Sequence, residues 1–375
     1  SMDLSETATF TKRAVVVIIA LLVVVYSSKY AIKAGIATWR KINPPIVKPT
    51  TSFGKLPALS IPSLKLAEGA TPTFSVDTPT GRLPSFSGLM PVYKVITPGV
   101  TQKYEENAIA LASKLGFAGV HSSISSSAFS WKNEELGTVL KMNVVTRNFS
   151  IESDWKTLKD KIQIATCPYP SEAKNVAIEF FESAGLTLED YDTLTTKLAR
   201  TDGSNLIETS SVSESQFTIV DFFRSIKPGE YLYKILGPNP KRGMIELVIS
   251  GKKTDQNRPE DTSFVGGRYM FREIDKKNFS TYPVKSVEAA YQELSEGKGS
   301  ITYLKPGNED FFATYTPIKP SSIKIREIYI AYFEPETLPQ YLQPIFVFEG
   351  KAFSNEGKEG EYIAYVPALS NEWIK

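Results

Sequence analysis

One histidine, one cysteine and pairs of adjacent carboxylates are the side chains whose types could most readily do acid–base, nucleophilic or metal chemistry in this sequence. His121 stands in "GVHSS", which sets an imidazole beside the Ser122 hydroxyl. A base that activates a serine must be held within hydrogen-bond reach of it and oriented by a third group, which sequence adjacency does not supply. A plain loop histidine is therefore expected. Cys167, in "ATCPYP", would be a nucleophile only if something lowered its thiol pKa, and no histidine lies near it in sequence, so a buried, inert thiol is expected. Glu105 with Glu106, Glu134 with Glu135, and Glu309 with Asp310 fall on expected helix faces or turns, where neighbouring acids point apart and do not readily share a proton or an ion. The "NED" loop lacks the spacing of an EF-hand. A single histidine and a single cysteine exclude the usual zinc clusters and any intrachain disulfide. Nucleophile elbow, Walker loop, dinucleotide-binding glycines and His-Glu-x-x-His are all missing. The sequence is thus expected to carry no catalytic residues, no cofactor-binding residues and no metal ligands.

The chemistry being sparse, the weight of the reading falls on the elements. The 375 residues are 42% hydrophobic and 11% aromatic, the mixture of packed cores, and long enough for two or three domains. Lys plus Arg at 43 against Asp plus Glu at 41 leaves no global field to hold a nucleic-acid backbone. Nucleic acid is excluded as an expected partner, and no small-molecule substrate is inferred.

Residues 14–26 are an unbroken apolar run that a snorkelling Lys29 would extend to about Ile32, roughly the 19 residues a bilayer asks for. The leading expectation is an uncleaved single-pass anchor through residues 14–32. A cleaved signal and a buried core helix are the alternatives; against cleavage, the only small-residue pattern after the run is the weak Ala31 to Ala34. Orientation is in conflict. Lys12 and Arg13 precede the run while Lys29, Lys33, Arg40, Lys41 and Lys48 follow it, a count that favours a cytoplasmic C-terminal side.

Between residues 43 and 99 ten prolines recur among Ser and Thr, which breaks helices and favours extended chain. A stalk is expected, with Phe53, Leu56, Leu59, Ile61, Leu64 and Leu66 suggesting that it lies along a folded surface or a partner; the alternative is an edge strand docked on its own domain. Helices are then expected at 102–115 (cap Thr101, stop Gly116), 154–163 (cap Ser153), 172–184 (stop Gly185) and from Ser286 to Gly297, each with an apolar stripe at helical spacing. Residues 129–149 read as two strands around the turn 132–137. Residues 212–274 read as short strands of an antiparallel meander, with a polar loop at 252–263. Three more strands follow, "SIKIREIYIAYFEP", "YLQPIFVFEG" and "EYIAYVPAL". Their aromatic residues either form a binding face or lie between covered sheet faces. Asn-Phe-Ser at 148–150 and at 278–280, each between a strand and a capped helix, outlines an internal repeat.

The C-terminal quarter resembles the YycH and YycI family of membrane-anchored extracytoplasmic regulators, themselves similar to PepSY-like modules. The resemblance is carried by Tyr282 and Pro283 before a helix with Glu288 and Ala289, by Tyr329 and Tyr332 in a strand, by Gln343 and Pro344, and by the Val366-Pro367-Ala368 end. It implies one N-terminal transmembrane helix, repeated α+β modules outside the membrane, and action by contact with a sensor kinase or another envelope protein. It carries over no catalytic residue.

The expectation is an α+β protein: tail and transmembrane anchor (1–42), proline-rich stalk (43–99), first module (100–200) and second module (201–375), each module packing helices on an antiparallel sheet. Its expected work is non-catalytic binding or regulation of an envelope protein at the cell membrane, with the bulk of the chain extracytoplasmic. The alternative is a structural or scaffolding subunit of an envelope or surface assembly.

Overall fold

The computed structural model describes residues 4–42, 47–159, 167–251 and 262–375, and divides into two compact units, Ser1–Pro49 and Thr50–Lys375. In the first unit helix α1 (Leu4–Ile42) is longer than expected. Its stretch Thr11–Trp39 is long and apolar enough to cross a membrane and is buried nowhere. Ser27 and Ser28 donate to carbonyls three and four residues back, so these hydroxyls add no unpaired donor to the apolar surface.

The second unit begins in the proline-rich segment. Strands β1 (Thr73–Val76) and β2 (Leu89–Val95) lie inside that segment, and Leu56 is fully buried with Val92, Tyr282 and Leu369. Prolines donate no N–H, so an extended proline-rich chain needs mainly donor partners for its carbonyls. Those partners come from the folded body: Tyr282 donates to Gly54 O at 2.9 Å, Gln343 to Pro57 O at 2.9 Å, Tyr315 to Lys65 O at 2.7 Å and Tyr332 to Pro91 O at 2.7 Å.

There follow α2 (Tyr104–Lys114), β3 (Ser122–Ser125), β4 (Ala128–Asn133), β5 (Thr138–Asn143), β6 (Phe149–Ser153), α3 (Trp155–Leu158), α4 (Pro170–Ser183), β7 (Tyr191–Thr201), β8 (Leu206–Thr209) and β9 (Phe217–Ile226). Next come β10 (Tyr233–Leu236), β11 (Ile245–Gly251), β12 (Thr262–Tyr269) and β13 (Ile274–Pro283). The chain closes with α5 (Val287–Ser295), β14 (Ser300–Pro306), β15 (Ser322–Phe333), β16 (Tyr341–Phe353) and β17 (Glu359–Pro367).

Antiparallel pairings run β3–β4–β5–β6–β12–β11–β9–β7–β8. Helices α2 and α4 cover one face of this sheet through Leu111, Ala177 and Phe181, and Leu158 of α3 packs with Phe217 and Val248 in a separate cluster. A second antiparallel run is β14–β17–β16–β15, with β1 and β10 parallel to β15. Strand β10 also pairs with β9, which joins the two runs. The architecture is mixed α+β, with a large and chiefly antiparallel sheet, one N-terminal apolar helix and few other helices.

Several local expectations change. Helix α2 starts at Tyr104 behind Lys103, which makes no side-chain cap, while Thr101 offers only its backbone carbonyl to Tyr104 N–H. Asp154, not Ser153, caps α3 by accepting from Lys156 N–H; Ser153 ends β6 opposite Thr138 and its hydroxyl donates to Val265 O. The ladder claimed the serine first. Residues 160–163 of that expected helix, and 252–261 of the expected polar loop, lie outside the described residues. Ser286 does cap α5, accepting from Ala289 N–H at 3.2 Å, and Gly297 follows at positive φ. Strand β7 was not foreseen: "YDTLTTKLART" is too polar to read as a buried strand, yet threonine suits a half-buried pleated surface. Of the C-terminal aromatics, Tyr329 is half-buried and six others are buried on the two sheet faces. Tyr332, Phe346, Phe348 and Tyr362 pack under α5, and Phe333 and Tyr365 pack on the other face.

Candidate functional site

The residues with chemical potential do not converge. His121 stacks on Phe129 with ring centroids 4.4 Å apart, and its Nε2 lies 3.6 Å from Glu105, while Ser122 is exposed on β3. Cys167 is buried, with Sγ 3.1 Å from the Ser215 hydroxyl. Asp310 accepts from Glu208 N–H at 2.8 Å and from Phe312 N–H at 2.9 Å, which makes it a loop tether. Among the described residues no three His, Cys, Asp or Glu side chains are placed to share an ion.

What the structure brings together instead is a buried charge cluster where the two sheet runs meet. Arg224 of β9 donates to Arg272 O at 2.8 Å and to Glu334 Oε1 at 3.4 Å, and reaches Asp190 Oδ2 at 3.6 Å. Arg272, between β12 and β13, lies 3.9 Å from Glu334 and donates to Glu336 O. Arg224, Arg272 and Glu334 are each less than 5% exposed. The Arg224 guanidinium sits 5.0 Å from the centre of the Phe271 ring and 5.6 Å from that of Tyr191. Burial pushes Glu334 above the usual carboxylate range against the pull of the two arginines, and lowers Arg272. Burial also lifts the Tyr191 and Tyr269 phenols well above their ordinary value. The cluster thus sets two guanidiniums against the carboxyl groups of Glu334 and Asp190 in a dry setting. The sequence held a signal for it: Arg224 in "VDFFRSI", Arg272 in "MFREI" and Glu334 in "AYFEP" are charges inside apolar strand runs, and charges buried there must find partners.

A second cluster lies along the same strands. Asp221, fully buried, accepts from Gly243 N–H at 2.8 Å and lies 3.7 Å from Lys197 and 3.8 Å from Arg242, which also pairs with Glu246. Burial first, and then the Glu246 charge, push the Asp221 carboxyl from 3.8 to about 7. A carboxyl raised in this way gives stability that is fully present below pH 3.8 and is lost as pH rises to about 7. Urea unfolding of the parent and Asp221→Asn between pH 4 and 8 should show the parent-minus-variant stability falling over that window, by an amount on the order of 3 kcal/mol. A pH-independent difference would mean that the carboxylate is charged throughout.

Beside the first cluster a cleft of about 370 Å3 opens between the end of β2, the β5–β6 turn, the α4–β7 connection and residues 269–273. Its walls are Ile96, Val145, Leu186, Phe271 and Leu338, its cations are Arg147 and Arg272, and its one carboxylate is Glu273. This volume is in the range of small-ligand sites, which favour such junctions. None of these residues stands out in the sequence, because the cleft draws on segments 242 positions apart, from Ile96 to Leu338.

The fold and site together define a mixed α+β protein with an N-terminal apolar helix and a charged cleft in its larger unit. No family model and no curated protein matches the chain. Among solved structures the chain is similar to an uncharacterized protein from Eubacterium rectale ATCC 33656, at 13% identity over 75% of this chain and 84% of that one, with a TM-score of 0.39.

Proposed function

We propose that this chain is a non-catalytic, membrane-anchored protein that binds or regulates another envelope protein, with residues 50–375 outside the cytoplasm. The observation that carries the reading is the helix stretch Thr11–Trp39, apolar over a membrane-spanning length with none of its apolar window buried. A tether of this kind raises the effective concentration of a binding unit at the bilayer without adding contacts. In the finer form of the proposal the larger unit is two helix-on-sheet modules. The two Asn-Phe-Ser tripeptides support this: one spans the start of β6 ahead of α3, the other lies in β13 ahead of α5.

The resemblance of the C-terminal quarter to extracytoplasmic regulators supports the extracytoplasmic side, against the count of basic residues. Replacing Cys167 by alanine removes the buried thiol, and Asn355→Cys places one on the exposed β16–β17 turn. A membrane-impermeant maleimide should label this variant in intact cells. Labelling only after lysis would vindicate the basic residues and sink the extracytoplasmic reading.

The second reading, a structural subunit, draws on β3, an exposed strand paired only with β4 among the described residues. Size in mild detergent separates the two: a monomer or dimer supports the regulator, and a larger assembly supports the subunit.

A further inference from the structure

We propose that the cleft beside the buried arginines binds a small organic anion with an apolar or aromatic body. This rests on reading the chain as a binding protein and deepens it.

Three observations converge. Ile96 and Leu338 at the cleft are 38% and 39% exposed, and the half-buried Phe271, whose ring lies 5.0 Å from the Arg224 guanidinium, lines it with them, so an apolar body has a surface to cover. The polar side of the cleft is cationic: two guanidiniums stand against the single carboxylate of Glu273.

The third observation concerns the arginines themselves. Arg147 sits at φ 60, where an L side chain is strained and glycine or asparagine would cost less. The turn holds it there: Asn143 accepts from Val145 and Thr146 N–H, and Arg147 N–H donates to Asn143 O at 2.8 Å. Its guanidinium is exposed and makes no hydrogen bond or ion pair among the described residues. Arg272 is only 4% exposed; its guanidinium lies 3.9 Å from Glu334 and donates to Glu336 O, yet its Nε and Nη1 find no hydrogen-bond acceptor among the described residues. Unused donors on a buried guanidinium are costly, and a further anion beside it would add to what Glu334 supplies. A carboxylate or sulfonate in the cleft would pair with Arg147 directly and lie in the field of Arg272, while its body covered Phe271 and Leu338. Arginine's planar fork suits such an oxyanion.

The test is isothermal titration of 4-phenylbutyrate, and of its neutral amide, into the full chain in nanodiscs, with empty nanodiscs as the blank. The acid should bind, and the amide should bind about tenfold more weakly. Arg147→Gln should raise the acid's Kd about tenfold, and Leu338→Glu, which adds a like charge at the mouth, should abolish binding. Both positions are exposed, so near-UV circular dichroism should match the parent. Competition by N-acetylphenylalanine or by hexanoate tells a peptide-like from an aliphatic source of the anion, and either one competing supports the site. No heat beyond the blank, equal affinity for acid and amide, or an unchanged Kd in Arg147→Gln would overturn the proposal. These failures are separate from those of the functional reading, because labelling of the Asn355→Cys variant scores location alone.

Discussion

Arg224→Ala should destabilise the larger unit by about 3–5 kcal/mol, because it strips Glu334 of a close cation while leaving that carboxylate buried. Desolvating a carboxylate is expensive, and the remaining guanidinium, Arg272, stands at 3.9 Å. The substitution also leaves the Arg272 carbonyl without its 2.8 Å donor and removes the cation packed on Phe271 and Tyr191. Asp190 suffers less, since Lys276 holds it at 2.7 Å. The cost should shrink when the stranded charge is removed as well: in a Glu334→Gln background Arg224→Ala should cost about 1–3 kcal/mol less, a coupling that a double-mutant cycle in urea measures directly. Strict additivity would show that the two side chains are neighbours without being energetic partners.

Leu56→Ala should cost about 2–5 kcal/mol, the range for truncating a fully buried leucine. A stalk would predict no effect at all. Leu56 packs on Val92, Tyr282 and Leu369; its N–H donates to Trp373 O at 2.8 Å, and its carbonyl accepts from Lys375 N–H at 2.9 Å. The proline-rich segment and the C-terminal residues thus hold each other, and loosening one should expose Trp373 to quenchers along with the fall in urea midpoint. The exposed neighbour Lys55→Ala, within about 0.5 kcal/mol of the parent, is the control. A silent Leu56→Ala would mean that the segment leaves the surface in solution and would restore the stalk.

These two substitutions mark the limit of what local sequence carries. The unbroken run from Ala14 to Tyr26 had to be an apolar helix or a signal, because nothing in it could face water in quantity. The Ser286 cap, the Val287–Ala290–Leu294 stripe and the Gly297 stop specified α5 within a dozen residues. The long C-terminal strands were legible for the same reason: β-branched and aromatic residues in runs bounded by turns leave few other ways to bury them. Where polar residues alternate on a half-buried surface, as in β7, local pattern and loop look alike, and only pairing with β9 over Tyr191 to Ala199 makes the strand.

The sequence by itself determined the types of the strongly patterned elements, the charge balance and the supply of one histidine and one cysteine. Tertiary structure decided which strand lies beside which, and with it everything about the candidate site. Arg224 and Glu334 are 110 positions apart, and β10 brings them together by pairing with β9 on one side and with β15 on the other. The physical reason is range. Helix periodicity, caps and turns act over a few residues, whereas a buried charge, a docked proline-rich segment and a cleft depend on partners chosen by the order of strands, which is set by burying the whole apolar surface at once.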